Sequence, residues 1–289
     1  MKRLLILSLF LACTLSVLNS QEIPADSLKT TDETVQTPPD AVLAADDMEK
    51  YKSETDDISK NFVKFNLTSL AIMNFSLQYE RVLSRSISGA LSFAYMPETN
   101  IPTYIADQVI NQVDKMSDDG IGPESEDIIR NLLISSYTIT PEIRFYLGQK
   151  RYGQGFYTAF FYRYGHYELS KMPIPYTNDL DEDITINTAG TITSHTGGFM
   201  LGYQWALGKH MCLDWQMFGP HFGVSSGDFL GLPSSPLSQV DQADIEAEFL
   251  KVESSLVDQT VDATADEVKM LFDGPWGGIR FAVSIGVKF

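Results

Sequence analysis

Apolar and polar residues alternate one by one in eight separate segments of the chain. The clearest segment is the last, Ile279 to Phe289, in which every second residue is apolar and the residues between are small or charged. Because successive side chains of a β-strand point to opposite faces, this pattern predicts a strand with one apolar and one polar face. The same alternation predicts eight strands, at residues 61–70, 75–82, 86–95, 136–147, 155–168, 194–207, 211–224 and 279–289.

The connections between these segments alternate in length from the third strand onward. Long connections and short turns follow one another at residues 97–135, 148–154, 169–193, 208–210 and 225–274. An even number of antiparallel strands with this alternation is typical of outer-membrane β-barrels, whose short turns lie on the periplasmic side. We therefore predict an all-β fold for residues 61–289. The predicted fold is an eight-stranded antiparallel up-and-down transmembrane β-barrel with long, partly helical outer loops and both termini in the periplasm.

Apolar residues recur at helical spacing in two of the long connections. The stripes consist of Ile105, Val109 and Val113 in the first, and of Ile245, Phe249 and Val252 in the last. A helix in an exposed loop must bury its apolar stripe somewhere. We predict that these residues bind a protein or glycan partner; the alternative is that the loop helices pack on one another as a cap.

The N-terminal sixty residues differ from the rest of the chain. Residues 1–20 have a basic start, a long apolar run and a small polar end, which predicts a secretory signal peptide cleaved near Ser20. Residues 21–60 contain eleven acidic residues, four lysines and few aromatic residues. Such a segment cannot bury enough apolar surface to offset its ordering entropy, so we predict a mostly disordered periplasmic arm.

Charged residues of both signs fall on the polar face of the predicted strands. They are Lys64, Glu80, Glu142, Arg144, Arg163, Asp214, Arg280 and Lys288. An eight-stranded barrel is filled by its own side chains, and buried charges are costly unless they are paired. The pattern therefore predicts a barrel-interior charge network. A soluble periplasmic barrel that binds a small ligand in an apolar interior remains the alternative, because a period of two does not distinguish inside from outside.

Composition narrows the class of partner. The chain has 21 basic and 38 acidic residues, a formal net charge of −17, which disfavours nucleic acid as a partner. Of its 2 cysteines, Cys13 lies in the predicted signal peptide, so the exported chain keeps only Cys212 and forms no internal disulfide. We find no catalytic, metal or cofactor motif and expect a non-catalytic protein. Its role would be structural, or binding through the outer loops, or that of a subunit of an envelope complex.

One set of residues permits a second class of function. His166 ends the fifth predicted strand, Ser194 and His195 open the sixth, and Asp179 and Asp181 lie in the connection between them. A hydroxyl, an imidazole and a carboxylate are the components of a hydrolytic site. If they met at the outer rim, the barrel would be a lipid A-modifying hydrolase or acyltransferase.

Two features of the sequence carry a resemblance to known proteins. The final strand, with Phe281, Gly286, Val287 and a terminal Phe289, resembles the insertion signal of Gram-negative outer-membrane barrels. That resemblance implies that the barrel-assembly machinery recognises the chain during insertion and that outer-membrane lipid surrounds the inserted barrel. Together with this ending, KFNLTS at 64–69 and QYER at 78–81 resemble an uncharacterised family of OmpA/OmpX-like barrels, classed as a domain of unknown function. The resemblance covers residues 61–289 and implies no activity.

Overall fold

The computed structural model describes residues 59–101, 103, 106, 107, 110, 111, 122–147, 152–250 and 257–289. The predicted signal peptide and nearly all of the predicted periplasmic arm lie outside these residues. So do Ile105, Val109, Val113 and Val252 of the predicted loop helices, and the side chain of Phe249.

Within the described residues, nine strands form one antiparallel sheet. They are β1 (Asn61–Asn66), β2 (Phe75–Val82), β3 (Ile87–Asn100), β4 (Leu133–Tyr146), β5 (Gly155–Thr177), β6 (Asp183–Leu207), β7 (Met211–Pro233), β8 (Asp258–Ala263) and β9 (Val268–Lys288). The connections contain a 3-10 turn at Ser69–Ile72 and the helices α1 (Pro123–Asn131) and α2 (Gln239–Leu250). The predicted all-β, antiparallel fold class is confirmed.

The sheet closes on itself through eight of its strands. Hydrogen bonding runs from β1 in chain order to β7, then to β9, and β9 returns to β1. At the closure Val63 lies opposite Val287, and the backbone of Asn61 exchanges hydrogen bonds of 2.9 and 3.0 Å with that of Phe289. Each predicted segment contributes one strand to this ring.

Strands β5, β6, β7 and β9 are much longer than predicted. They have 23, 25, 23 and 21 residues and run on beyond the ring, where β8 joins the free side of β9. We call this part the extension; it comprises 169–193, 225–233 and 257–275. The prediction of long loops at 169–193 and 225–274 is therefore wrong in large part, because most of these residues are in strands and α2.

The edge of the extension carries two prolines. Pairing between β4 and β5 ends at Leu133 opposite Ser170, so β5 beyond that point pairs only with β6 among the described strands. Pro173 and Pro175 lie in this part of β5. Proline cannot donate to a β-ladder and is tolerated at an edge, where it also discourages the addition of a further strand.

The ring and the extension differ in the side chains that point inward. Around the ring, large apolar side chains are exposed on β2 to β7, on β9 and directly after β1, among them Leu67, Leu77, Phe93, Ile143, Phe160, Phe199, Trp215 and Phe281. Its inward side chains include buried charged and polar groups. In the extension the inward side chains are apolar and buried, among them Leu169, Met172, Ile174, Ile184, Ile186, Phe229, Val268 and Met270. The chain thus has buried charges beside small apolar clusters inside the ring, and a large apolar core in the extension.

The helices of the connections close the apolar core of the extension. Ile129 of α1 is buried in it, as are Ala106 and Ile110, which are helical residues of the first long connection. Ile245 of α2 is 5 % exposed in the same core. The prediction that Ile245 binds a partner is wrong for this reason, and its burial agrees with the cap alternative. Among the described residues, no helix is long and apolar enough to cross a membrane.

Candidate functional site

Two cations and two carboxylates form the centre of the ring interior. Lys64 on β1 and Arg144 on β4 both reach Asp214 on β7, with N–O distances of 2.7 Å each. Both also pair with Glu80 on β2, and the Arg144–Glu80 distance is 3.2 Å. All four side chains are fully buried. Each lies at an inward position of its strand, so the alternation of the sequence and the closure of the sheet bring them together.

A second group extends this centre toward the end of the ring that adjoins the extension, which we call the outer end; the opposite end is the inner end. Glu142 on β4 lies 3.2 Å from Arg144 Nη2 and 3.3 Å from Arg280 Nη2. It also accepts a 3.1 Å hydrogen bond from Gln78. Lys64, Arg144 and Arg280 therefore face Glu80, Glu142 and Asp214, and the three positive charges balance the three negative charges. Paired and hydrogen-bonded charges of this kind are the arrangement in which buried ions are tolerated.

Neutral side chains that sequence reasoning missed complete the network. Tyr146 donates a 2.7 Å hydrogen bond to Glu80, and Tyr157 donates one of 2.7 Å to Asp214. Gln204 accepts from Lys64 and donates to the carbonyl of Gly153. The tyrosines could have been found from their inward register, but an aromatic residue in a strand also suits the apolar face.

A glycine opposite Tyr157 makes room for its ring. A Cβ atom at Gly202 would lie 2.4 Å from the ring carbon and the hydroxyl of Tyr157. Similarly, a Cβ at Gly286 would lie 2.5 Å from the carbonyl oxygen of Val63 and 2.8 Å from Lys64 Cγ. Gly286, which was predicted as part of the insertion signal, therefore lets β9 approach β1 beside the network.

Two of the eight predicted interior charges stand apart from this network. Arg163 points inward from β5 nearer the outer end of the ring, and Lys288 lies at the opposite end of β9 and is partly exposed. Within the described part of the chain, neither forms an ion pair. The other six predicted residues are joined into one cluster.

The residues of the possible hydrolytic site do not meet. Ser194 is inward and 2 % exposed, whereas the adjacent His195 is outward, because neighbouring strand residues face opposite ways. His166 is also outward. Asp179 and Asp181 lie in the turn between β5 and β6, and Asp179 follows His166 by 13 positions of mostly extended chain, roughly 40 Å.

The two histidines belong instead to an aromatic band around the outer end of the ring. His195 lies 5.3 Å from Tyr164 between ring centroids, and His166 lies 5.1 Å from Tyr137. At the other end of the ring the Trp205 ring lies 4.5 Å from that of Tyr203 and 6.4 Å from that of Trp215, between centroids.

No group of three or more His, Cys, Asp or Glu residues in the described ranges is placed to hold a metal ion.

Asp241 at the start of α2 fastens the helix to the turn between β5 and β6. Its carboxylate accepts hydrogen bonds from the backbone N–H groups of Ser238 (3.1 Å) and Asp179 (2.9 Å) and from the hydroxyl of Tyr176 (3.1 Å). Burial raises the pKa of this carboxyl, but the hydrogen bonds outweigh it and leave the pKa of Asp241 below its ordinary value. The ionised carboxylate therefore stabilises the closed arrangement of the extension.

This contact makes the stability of the extension depend on pH. A carboxyl with a lowered pKa contributes stability above its ordinary pKa and loses it as pH falls through the lower, folded value. Hydrogen exchange of α2 and of residues 178–182, corrected for intrinsic rates, should accelerate below about pH 4. Asp241→Asn should show fast exchange already at neutral pH and little further change on acidification. Asp266→Asn, the same change at an exposed position between β8 and β9, serves as the control, and equal behaviour of the two variants would contradict the role of Asp241.

The terminal strand leaves its predicted signal residues on the outer surface. Phe281, Val287 and Phe289 are 52, 51 and 62 % exposed, and they continue the apolar outer face of the ring. The backbone of Phe289 is paired with Asn61, but its side chain is free of the interior. The side chain of Phe289 thus lies on the apolar outer face of the ring and not in its interior.

Comparison with known proteins places the chain in a family without a known activity. No curated protein matches it. The family model described as "Protein of unknown function (DUF3575)" matches residues 49–220, which cover β1 to β6 and the first part of β7 and make up more than half of the chain. The chain therefore belongs to the DUF3575 family.

Proposed function

We propose that this protein is a non-catalytic integral barrel of the Gram-negative outer membrane. Its ring of eight strands spans the lipid, and its extension stands outside the cell as a rigid binding platform. The observation that carries the proposal is the outer face of the ring, where large apolar side chains are exposed on seven strands and, at Leu67, directly after the eighth. A water-soluble protein rarely exposes a continuous apolar surface of that size.

The dimensions of this apolar band suit a bilayer. On β3 the band runs from Ile87 to Tyr95, which is nine residues. A tilted transmembrane strand needs about 9–11 residues. The band lies between aromatic residues at the outer end, such as Tyr137 and Tyr164, and those at the inner end, such as Trp205 and Trp215. Aromatic girdles at both edges of an apolar band are a general property of outer-membrane barrels.

The interior supports a scaffold rather than a channel. The paired charges and the tyrosines fill the cross-section of the ring, and Lys64, Glu80, Arg144 and Asp214 have no exposed side-chain surface. A path for solutes would have to break several of these ion pairs. The largest apolar core of the described residues lies in the extension, whereas the apolar clusters of the ring are small and lie beside buried charges.

The extension supports the proposed binding role. Its apolar core and the Asp241 contact fix its shape, so a partner would meet a preformed surface. The outward face of β6 there is polar, and it presents Thr185, Asn187, Thr191 and Thr193. Such a surface suits a protein or glycan partner outside the cell. The catalytic alternative has no such support, because Ser194 and His195 lie on opposite faces.

The proposal is tested by fractionating cells that express the full chain. We expect the protein in the outer-membrane fraction, and we expect the unboiled protein to migrate faster on a denaturing gel than the boiled protein. Phe289→Ala should lower the amount in that fraction several-fold while leaving the gel shift of the purified, refolded protein unchanged. A soluble periplasmic protein without a gel shift would refute the membrane barrel. A normal yield of Phe289→Ala would refute only the role of the terminal residue in insertion.

A further inference from the structure

We propose that the outer half of the ring interior binds a small oxyanion, with Arg163, His221 and Arg280 as its ligands. The site lies beyond the charge-balanced network, on the side of the extension. It depends on the interior of the ring alone, and not on whether the ring spans a membrane.

Strand register brings the three side chains to neighbouring inward positions on β5, β7 and β9. Gly198 on β6 lies opposite Phe161 on one side and opposite His221 on the other. Arg163 follows Phe161 by one inward position on β5. Arg280 on β9 lies opposite Gly219, one inward position before His221 on β7. The three groups therefore converge from three different strands.

The ring of Phe161 holds two of the groups in place. The Arg280 guanidinium carbon lies 4.4 Å from the Phe161 ring centroid, and the His221 ring lies 6.1 Å from it in an edge-on arrangement. Arg280 is further oriented by the ion pair between its Nη2 and Glu142. The donors are thus preorganised by contacts that do not use up their free nitrogen atoms.

Two nitrogen atoms of this group lack a hydrogen-bond partner among the described residues. They are Nη1 of Arg280 and Nδ1 of His221, and both atoms are buried. A buried polar atom without a partner costs free energy, so such atoms usually mark a bound water or ion. Arg163, His221 and Arg280 are each only partly buried, so a group the size of water reaches these side chains, and an anion at Nη1 and Nδ1 requires a small shift of the side chains.

The balance of charge distinguishes an anion from a water. The inward charges between the ring ends are Lys64, Arg144, Arg163 and Arg280 against Glu80, Glu142 and Asp214, so one positive charge has no counterpart. Arg163 is the cation that forms no ion pair in the described part of the chain. Water could satisfy the nitrogen atoms, but it would leave this charge uncompensated.

The donor set favours an oxyanion over a halide. Guanidinium groups present N–H groups in a planar fork that matches the oxygen atoms of phosphate, sulfate or carboxylate. Two such groups and an imidazole N–H supply several donors, more than a single spherical ion needs. Inorganic phosphate is therefore the probe of choice, and chloride is its comparison.

The test uses purified full-length protein in an uncharged detergent and a buffer free of small inorganic anions. Phosphate is added from 0 to about 10 mM, a range in which general salt effects on protein hydration are small. The thermal unfolding midpoint and the heat of binding are measured for the unmodified protein, Arg163→Gln and the control Arg81→Gln. Arg81 is exposed on β2 and far from the proposed site in the ring.

We expect saturable binding of one phosphate and a saturable rise in the midpoint for the unmodified protein and for Arg81→Gln. In Arg163→Gln the affinity should fall at least tenfold. This variant should also be at least as stable as the unmodified protein in the anion-free buffer, because it lacks the uncompensated charge.

A response to chloride as strong as that to phosphate would overturn the assignment to an oxyanion. No saturable response, or an equal response in Arg163→Gln, would overturn the site itself. If Arg163→Gln does not fold, the phosphate titration is made with the unmodified protein and with Arg163→Lys. No saturable response of the unmodified protein, or an equal affinity in Arg163→Lys, would then overturn the site.

Discussion

Arg144→Met is expected to destabilise the folded ring by about 3–5 kcal/mol, the usual cost of removing one partner from a buried ion network. The guanidinium of Arg144 contacts Asp214, Glu80 and Glu142, and all of these side chains are fully buried. Without it, three carboxylates would share Lys64 and Arg280. Urea unfolding in detergent micelles, followed by tryptophan fluorescence and by the gel shift, measures the loss.

Two further variants make the Arg144 result interpretable. Arg81→Met removes an exposed arginine from β2 and should change stability by less than about 0.5 kcal/mol. Asp214→Asn added to Arg144→Met restores the balance at two cations and two carboxylates, so it should recover part of the loss. If Arg144→Met costs no more than Arg81→Met, the charge network does not hold the interior together.

Phe160→Arg is expected to destabilise the protein in lipid by about 2–4 kcal/mol, the cost of an arginine near the bilayer midplane on the outside of a barrel. Phe160 is 60 % exposed and lies halfway along the apolar band of β5. If the outer face of the ring met water instead, the same substitution would be neutral or would increase solubility. Folding equilibria in lipid vesicles measure the difference.

The position of the substitution provides the controls for Phe160→Arg. Leu207 lies at the inner end of the band, so Leu207→Arg should lower the free energy of unfolding in lipid by only about 0–1 kcal/mol. Asn187 lies on the polar outward face of β6 in the extension, so Asn187→Arg should have no measurable effect. Equal effects at all three positions would contradict a membrane around the ring.

The period-two pattern was sufficient to predict the ring. Lys64, Glu80, Arg144 and Asp214 lie on the side of their strands opposite the large apolar residues, so alternation placed them on one side of the sheet. The expectation of a barrel with an apolar outer face then made that side the interior. That these four would meet in one cluster followed from the narrowness of an eight-stranded barrel. The exact partners depend on register, which the sequence does not state.

The extension could not be predicted in the same way because its inward face is apolar and because β7 and β9 carry apolar residues on both faces there. Ile184 and Ile186 alternate with Thr185 and Asn187, which is a strand pattern, but Pro173 and Pro175 on the neighbouring strand are residues that a strand interior seldom contains. β8 reads DQTVDA and is too polar to stand out as a strand. Tyr146 and Tyr157 were missed for a different reason: a tyrosine in a strand suits a lipid-facing girdle as well as a buried hydrogen bond.

The uninterrupted strands have a mechanical consequence. Four strands pass from the ring into the extension without a linker, and their ladders continue across the boundary between β6 and β7 and between β7 and β9. A force that a bound partner applies to the extension would therefore be shared by many backbone hydrogen bonds, which are loaded in shear. In the described strands there is no hinge between the two parts that the force could bend. The extension cannot swivel on the ring, because its angle to the ring is set by the strands that the two parts share. A partner held there would be presented at one fixed height and in one fixed orientation.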